Sequence, residues 1–417
     1  MKTPLMNLKW LVAALCCLSS LERASAATNR LDNLSLARAL ELADRQHPLL
    51  AEARALAAAA AGRADQAGKF PNPDAIAKIE QAPLKGGTPG DAQSLAGFAQ
   101  PIPLGGRLAK AQAAEQLERG RRSNEIEVRR RELHRLVHGA FATALYQERA
   151  FQAQTTLAEG AEKMASMARA GAHAGEGGPE DVARAEMELA RSKAELRRAA
   201  SLHEQALFAL AAALGDPNIS VASTTGDLED TFDIPTLEAL LADLSSHPAI
   251  IAADAAVRVE NARLDLAKAR RIPDVKVEVL YRRIRAEKEN TLDVGFSIPL
   301  PLFDRDQGRL REVRAELQAA EARSLAARND LHLRLREARS QLASALSDSR
   351  ALKSEVLPRA DILLKAAEAR YAEGDSSLKD VLPARRDWAS ARLTYLESLR
   401  DAMTAWAVVR SLAGGAH

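Results

Sequence analysis

The chain says the same thing twice, and that limits its fold more than any other feature. His47-Pro48-Leu49 recurs as His247-Pro248-Ala249, and Ile102-Pro103-Leu104 recurs as Ile298-Pro299-Leu300. Gly106-Arg107-Leu108 recurs as Gly308-Arg309-Leu310, and Asp181-Val182 as Asp380-Val381. The matches keep their order at an offset of about 200 residues, far longer than the ~20–50 residues of a solenoid repeat. This reads as a tandem duplication, with a first repeat over 27–225, a second over 226–417, and residues 1–26 outside both.

Each repeat has one layout. A helix opens it, from Ser35 to about Gly68 and from Thr236 to about Arg271, with Ser35 and Thr236 as N-caps. Pro71-Asn72-Pro73 and Ile272-Pro273 end these helices, and two short extended segments follow. A very long helix then runs from about Leu108 to Arg169 and from about Gln307 to Tyr371. Turns at Gly175 to Gly178 and at Gly374-Asp375 lead into last helices over Pro179–Leu214 and Leu378–Leu412. Leu331, Leu335, Ala338, Leu342, Ala345, Ser349, Leu352 and Val356 are spaced alternately four and three, a coiled-coil seam. Pro358 should kink that helix or mark a changeover of packing. About one residue in five is Ala and only 4% are aromatic, which suits thin layers of closely packed long helices.

The extended segments carry a different period. Val275, Val277, Val279 and Tyr281 alternate with Asp274, Lys276, Glu278 and Arg282. Leu292, Val294, Phe296 and Ile298 alternate with Thr291, Asp293, Gly295 and Ser297. One face is apolar and the other polar, as in a transmembrane β-strand. Counterparts at Ala75 to Leu84 and Gln93 to Ile102 alternate poorly, and the duplication assigns them the same role. Four strands cannot close a barrel around a lumen, and hydrocarbon tolerates no open strand edge, so several copies must contribute. The fold class expected is mainly α with a small β part.

Lys2 and Lys9, the apolar run Leu11 to Leu18, and Ala24-Ser25-Ala26 make residues 1–26 a secretory signal peptide. Both cysteines, Cys16 and Cys17, lie inside it, and Leu15 precedes Cys16 where a small residue would precede a lipidated Cys. Without the leader, 55 basic residues face 55 acidic ones, which excludes a strong nucleic-acid binder. No phosphate loop, nucleophile-base pair or cofactor motif is present, so no catalysis and no cofactor are expected. His134 and His138 stand at i, i+4, a spacing that can share a metal. No third ligand accompanies them, and a packed or solvent-facing pair is the simpler reading. The Arg/Glu-rich run from Arg119 to Arg135 reads as a solvated face.

Several segments, in order, resemble the TolC family of outer-membrane efflux channels. Gln100-Pro101-Ile102-Pro103-Leu104-Gly105-Gly106-Arg107 resembles a segment of its CzcC-like, heavy-metal branch. Phe70-Pro71-Asn72-Pro73 resembles the family's exit from the first helix, and Ser35 to Leu40 with His47-Pro48 its opening helix. Val356-Leu357-Pro358, Ala369 to Gly374 and Asp380-Val381-Leu382 resemble its second hairpin tip. The resemblance implies a homotrimer in outer-membrane lipid, with a twelve-stranded barrel and a helical tunnel crossing the periplasm. It also implies a periplasmic adaptor docking at the tips (Gly175, Gly374, Asp375) and an inner-membrane RND pump. The cargo implied is divalent heavy-metal cations, with small organic toxicants as the alternative. A periplasmic adaptor would need a β-rich lipoyl region, and a secreted coiled-coil scaffold would leave the strands unexplained.

By the same resemblance, Tyr371 matches a gate tyrosine, Asp181 its partner, and Asp380 a lining aspartate. Ser376 stands where a gate arginine is expected, and Pro383 where a further aspartate is expected. A ring of Asp380 carboxylates would favour cations. Asp181 and Asp380 can equally be first-turn acids that complement the helix dipole.

Overall fold

The structure, a computed structural model, describes residues 29–82, 92–175, 177–216, 218–229, 234, 236–285 and 287–413. The signal-peptide reading over 1–26, and the expected strand end at 83–84, fall outside these residues.

A short strand β1 (Asn29–Leu31) precedes α1 (Leu36–Gln46) and α2 (Pro48–Ala67). Strands β2 (Asp74–Glu80) and β3 (Gln93–Ile102) lead into α3 (Arg107–Ala174) and α4 (Pro179–Ala213). Strand β4 (Ile219–Val221) pairs in parallel with β1. The second half runs α5 (Leu237–Ala242), a 3-10 turn (Leu244–Ser246), α6 (Pro248–Arg270), β5 (Val275–Ile284) and β6 (Glu289–Ser297). It ends with α7 (Gln307–Ala351), a π turn (Leu352–Val356), α8 (Leu357–Ala372) and α9 (Leu378–Leu412).

Helix α3 is the spine. Toward the strands it packs between α2 and α6, and toward the far end between α4 and α9. Arg63 pairs with Glu115 at 3.5 Å on the first side, and Lys193 with Glu162 at 3.2 Å on the second. At 1.5 Å per residue, α3 is about 100 Å long. Small residues line its contacts: Ala142, Ala144, Ala158, Ala161, Ala165 and Ala168 are all buried. They let helix axes approach along their whole length instead of around one large centre.

Both opening helices differ from the single helices expected: each breaks at its His-Pro pair. The recurring histidine caps the helix that follows. His47 Nδ1 accepts from Leu49 N–H and His247 Nδ1 from Ala249 N–H, both at 3.1 Å, with proline at the first helical position. Each cap sits where the last helix of its own half ends. A Cβ on Gly215, which follows α4, would meet the His47 ring, and His247 Nε2 lies 3.1 Å from Ser411 O near the end of α9. Ser35 and Thr236 cap α1 and α5 as expected.

Three other departures have local causes. The expected equivalence of Gly106 and Gly308 is displaced by two residues. The left-handed residue before α3 is Gly106 (φ 68), but before α7 it is Asp306 (φ 56), and Gly308 already lies inside the helix. The long second helix opens into the π turn just before Pro358, where Leu357 N–H reaches back to Leu352 O. The wider turn rotates the buried stripe, so Val356, expected in the seam, is exposed. Upstream of the turn, Leu346 is buried beside the half-buried Ala345. The run from Arg119 to Arg135 is not wholly solvated. Glu118 is buried and accepts from Arg121 at 2.6 Å and Arg122 at 3.0 Å, while Arg131 donates to the Ala413 carbonyl at the end of α9.

His134 and His138 do not act as a pair. His134 Nε2 lies 3.0 Å from Asp44 Oδ1, while His138 is buried beside Trp406. No group of three metal-ligating side chains is found among the described residues. Burial lowers the pKa of His47 and His247, and takes that of His138 to about 4 with help from the Arg410 and His134 charges. In the unfolded chain these rings protonate near pH ~6.5. Folding therefore favours the neutral rings, and their contribution is complete above about pH 6.5 and is lost as pH falls below it, for His138 down to about 4. The melting temperature in detergent should drop across that window. His138→Phe, which has no proton to gain, should remove up to about 3 kcal/mol of the pH-dependent loss.

Candidate functional site

The two ends of α3 carry the chemistry. At one end, β2, β3, β5 and β6 form one antiparallel sheet in that order. The expected second-half hairpin is present, with β6 starting at Glu289, and β2 ends at Glu80. Register sorts every side chain by face. Val277 faces Phe296, Val279 faces Val294, and Tyr281 faces Leu292. Phe98 lies opposite Val279 on β3, and Ile79 opposite Ser94 across β2 and β3. Ile79, Phe98, Val279, Tyr281, Leu292, Val294 and Phe296 are all exposed, from 43% for Val279 to 79% for Phe296. Seven large apolar side chains exposed on one sheet face fit hydrocarbon, not water.

The opposite face is charged and internally paired. Arg282 bridges three strands, 3.2 Å from Glu80, 2.5 Å from Gln93 and 2.6 Å from Asp293. Lys276 lies 3.5 Å from Asp74 and 3.8 Å from Glu278. Among the described residues neither β2 nor β6 has a strand on its outer edge. No helix among them is long and apolar enough to cross a membrane.

The Gly-Gly-Arg segment turns the chain from sheet to helix. Gly105 and Gly106 both have positive φ (66 and 68), and a Cβ on Gly105 would stand 2.8 Å from Ile272 Cδ1. Arg107 Nη2 then reaches Asp274 Oδ2 at 2.6 Å, tying the start of α3 to the start of β5.

At the other end, α3, α4, α8 and α9 meet in an apolar cluster of Met164, Ala165, Ala168, Ala185, Ala367, Leu378, Val381 and Leu382. Tyr371 packs against it, half-buried. Burial raises the Tyr371 pKa, and the Asp181 carboxylate raises it further. Tyr371 and Asp181 are thus neighbours. The turns beside them use left-handed glycines, Gly175 (φ 80) and Gly374 (φ 81). Gly374 N–H bonds to Tyr371 O at 3.2 Å and Asp375 N–H to Arg370 O at 2.9 Å, a Schellman closure of α8. Asp380 is exposed, and its Oδ2 accepts from Ser377 N–H at 3.2 Å and Ser377 Oγ–H at 3.3 Å, a capping box on α9. The helix-terminus reading of Asp380 therefore has a direct geometric basis. Ser376 Oγ is buried without a partner.

The functional residues that the sequence did not single out are Arg282, Asp274 and Gly97. Period-two alternation puts Arg282 on the polar face, but only strand order brings Glu80, Gln93 and Asp293 to it. Gly97 lies opposite Leu280, and a Cβ there would overlap the Val279 carbonyl oxygen and stand 2.8 Å from Leu280 Cα. Gly295, in the neighbouring hairpin, has open space at the same position. Gly97→Val should therefore abolish recovery of folded protein in detergent, while Gly295→Val should leave it near the wild-type yield. Far-ultraviolet circular dichroism and urea melts measure both.

The family described as "Outer membrane efflux protein" matches residues 39–216 and 242–415. The cobalt-zinc-cadmium resistance protein CzcC of Cupriavidus metallidurans is 30% identical over 350 residues, 84% of this chain and 82% of that protein. A membrane protein of Pseudomonas aeruginosa superposes with a TM-score of 0.78 at 19% identity, over 91% of this chain and 90% of that one. The open-state MtrE outer membrane channel of Neisseria gonorrhoeae gives 0.76 at 21% identity, over 91% and 89%. The chain belongs to the outer membrane efflux protein family. Membership puts its sheet in the outer membrane and its helices on the periplasmic side.

Proposed function

We propose that this member of the family is the passive outer-membrane exit duct of a tripartite efflux system, and that its cargo is divalent heavy-metal cations. The observation that carries the duct is the sheet: seven exposed apolar side chains on one face and a paired charged network on the other. Such a sheet needs lipid outside and water inside. Three copies, each giving four strands, would make a twelve-stranded barrel with no free edge, continued by their helices into a tunnel. A periplasmic adaptor would meet the tips at Gly175, Gly374 and Asp375, and an inner-membrane pump would supply the energy. The chain itself would carry out no catalysis.

The cargo rests on similarity to CzcC over most of both chains. Deleting the gene from a resistant host should lower tolerance to cobalt, zinc, cadmium or nickel. Unchanged tolerance to all four, together with new sensitivity to organic toxicants, would leave the duct standing and reassign its cargo.

The entrance is assigned to Tyr371, Asp181 and Asp380. Helix α3 separates the tips from the sheet by about 100 Å, so these residues stand at the end opposite the membrane. Tyr371 feels the Asp181 carboxylate across the two hairpins of one protomer, and a contact between them would favour the closed tip. Three Asp380 carboxylates at a narrow radius would repel one another and attract cations. Tyr371→Phe should raise single-channel conductance in a planar bilayer, and Asp380→Asn should lower the cation-to-anion permeability ratio. An unchanged ratio would leave Asp380 with its capping role alone.

A further inference from the structure

Strand β6 ends at Ser297, but its apolar face does not. Leu292, Val294 and Phe296 are followed, at the same spacing of two, by Ile298, Leu300 and Leu302, and then by Phe303. Leu300 is 75% exposed and Leu302 63%, and Phe303, at 92%, is the most exposed large apolar side chain among the described residues. The first half has no such extension. Nine residues (298–306) separate β6 from α7, whereas four (103–106) separate β3 from α3. The shorter segment folds inward: Leu104 N–H donates to Asp274 Oδ1 at 3.4 Å, and Gly105 lies against Ile272. The longer one leaves its apolar side chains outside.

Its backbone is arranged as hydrocarbon requires. A loop exposed to water can leave its N–H and C=O groups to the solvent, whereas lipid offers them nothing. Pro299 and Pro301 have no N–H to satisfy. Leu302 N–H bonds to Leu300 O at 2.9 Å. Arg305 Nη2 donates to Leu302 O and Gln307 Nε2 to Phe303 O, both at 3.3 Å. Arg305 N–H donates to Gln307 Oε1 at 2.8 Å, and Asp306 N–H to Asp304 Oδ1 at 3.0 Å. The charged residues of the segment, Asp304 to Asp306, come last, next to α7.

The sheet alone is short for a bilayer. On β5 the outward apolar residues run from Val275 to Tyr281, about 20 Å of strand, or roughly 15 Å along the membrane normal at a ~40° tilt. The apolar band of an outer-membrane barrel is about 25 Å tall. From Leu292 to Leu300 the same arithmetic gives roughly 20 Å, and Leu302 and Phe303 follow. The segment supplies apolar height that the strands lack.

We infer that segment 298–303 is a lipid anchor, with Leu300, Leu302 and Phe303 seated among the acyl chains at the headgroup boundary of the periplasmic leaflet. This rests on the sheet facing lipid and not on the cargo. The occupant follows from continuity, because these side chains prolong the face that the sheet already turns to hydrocarbon. A phenylalanine at the end of that face stands where barrels carry an aromatic girdle.

The test uses the full-length protein in phosphatidylcholine vesicles whose acyl chains carry bromine, a contact quencher of tryptophan, near the headgroup or near the chain end. Emission of the wild-type protein is subtracted. Position 303 is so exposed that Phe303→Trp should fold as the wild type does. Bromine near the headgroup should remove most of the emission that Phe303→Trp adds, and bromine near the chain end should remove less. Phe296→Trp, within the sheet, is the control and should be quenched in both kinds of vesicle. Added emission that survives in Phe303→Trp while Phe296→Trp is quenched overturns the anchor and points to a neighbouring copy as the cover. Stronger quenching of Phe303→Trp from the chain end overturns its place at the boundary. An unquenched Phe296→Trp removes the lipid-facing sheet, and the anchor with it.

Discussion

A strand edge in hydrocarbon leaves backbone N–H and C=O groups with nothing to bond, and the rest of this molecule answers to that constraint. The sheet has four strands, with β2 and β6 at its edges. Its apolar face commits it to lipid and its edges commit it to partners. Closing a wide ring with equal, short contributions also sets the helices below, because each strand pair feeds directly into a long helix. Gly105 and Gly106 make that turn in the first half, and Asp306, alone in the left-handed region, makes it in the second. The Arg107–Asp274 ion pair then clamps the two junctions of one protomer together.

The helices solve a related problem. A tube wall one helix thick has no deep interior in which to bury large side chains. Alanine suits such a wall, since it packs closely and loses no side-chain entropy. The larger buried groups gather where layers thicken: Phe141, Leu145, Leu210 and Tyr395 near the middle, beside the β1–β4 pair. There the segment after α4 returns across the helices, and Lys353 of the π turn pairs with Glu229 on it. One extra residue in a turn and one proline, Pro358, let the second long helix serve two packing partners with one chain.

Much of this was legible in the sequence because its periods are nearly pure. Val275 to Tyr281 alternates except at Leu280, which is buried on the other face, and Leu292 to Phe296 alternates throughout; both strands are present with the apolar face outward. Heptad spacing from Leu331 to Ser349 likewise predicts buried positions, with Leu346 joining the set at the shoulder of the seam. What sequence periodicity could not supply is anything set by a partner distant in the chain. The His-Pro pairs looked like markers within helices, yet each is a break whose histidine is needed as a cap. Gly97 and Gly160 carry no signal of their own in the sequence. Each is a site where another backbone or an arginine occupies the space of a side chain. The three-residue strands β1 and β4 are too short for any period to reveal. The family resemblance named Tyr371 and Asp181 together, whereas no spacing argument could have brought them within reach.

The start of α9 illustrates how one residue serves two ends. Pro383 lies inside this helix and cannot donate the bond that position 383 would return to the carbonyl of Lys379. The first turn is thereby weakened from within. Ser377 and Asp380 hold it from outside, because the capping box ties the Asp380 carboxylate back to the Ser377 backbone. That contact also fixes the direction in which the carboxylate points. A carboxylate free to rotate would present its charge to solvent on all sides, whereas one held by its own helix terminus presents a fixed edge. A negative charge at a helix N-terminus complements the dipole, so the cap and the charge support each other. Capping and the proposed attraction of cations are therefore compatible roles of one side chain, and the first would prepare the second.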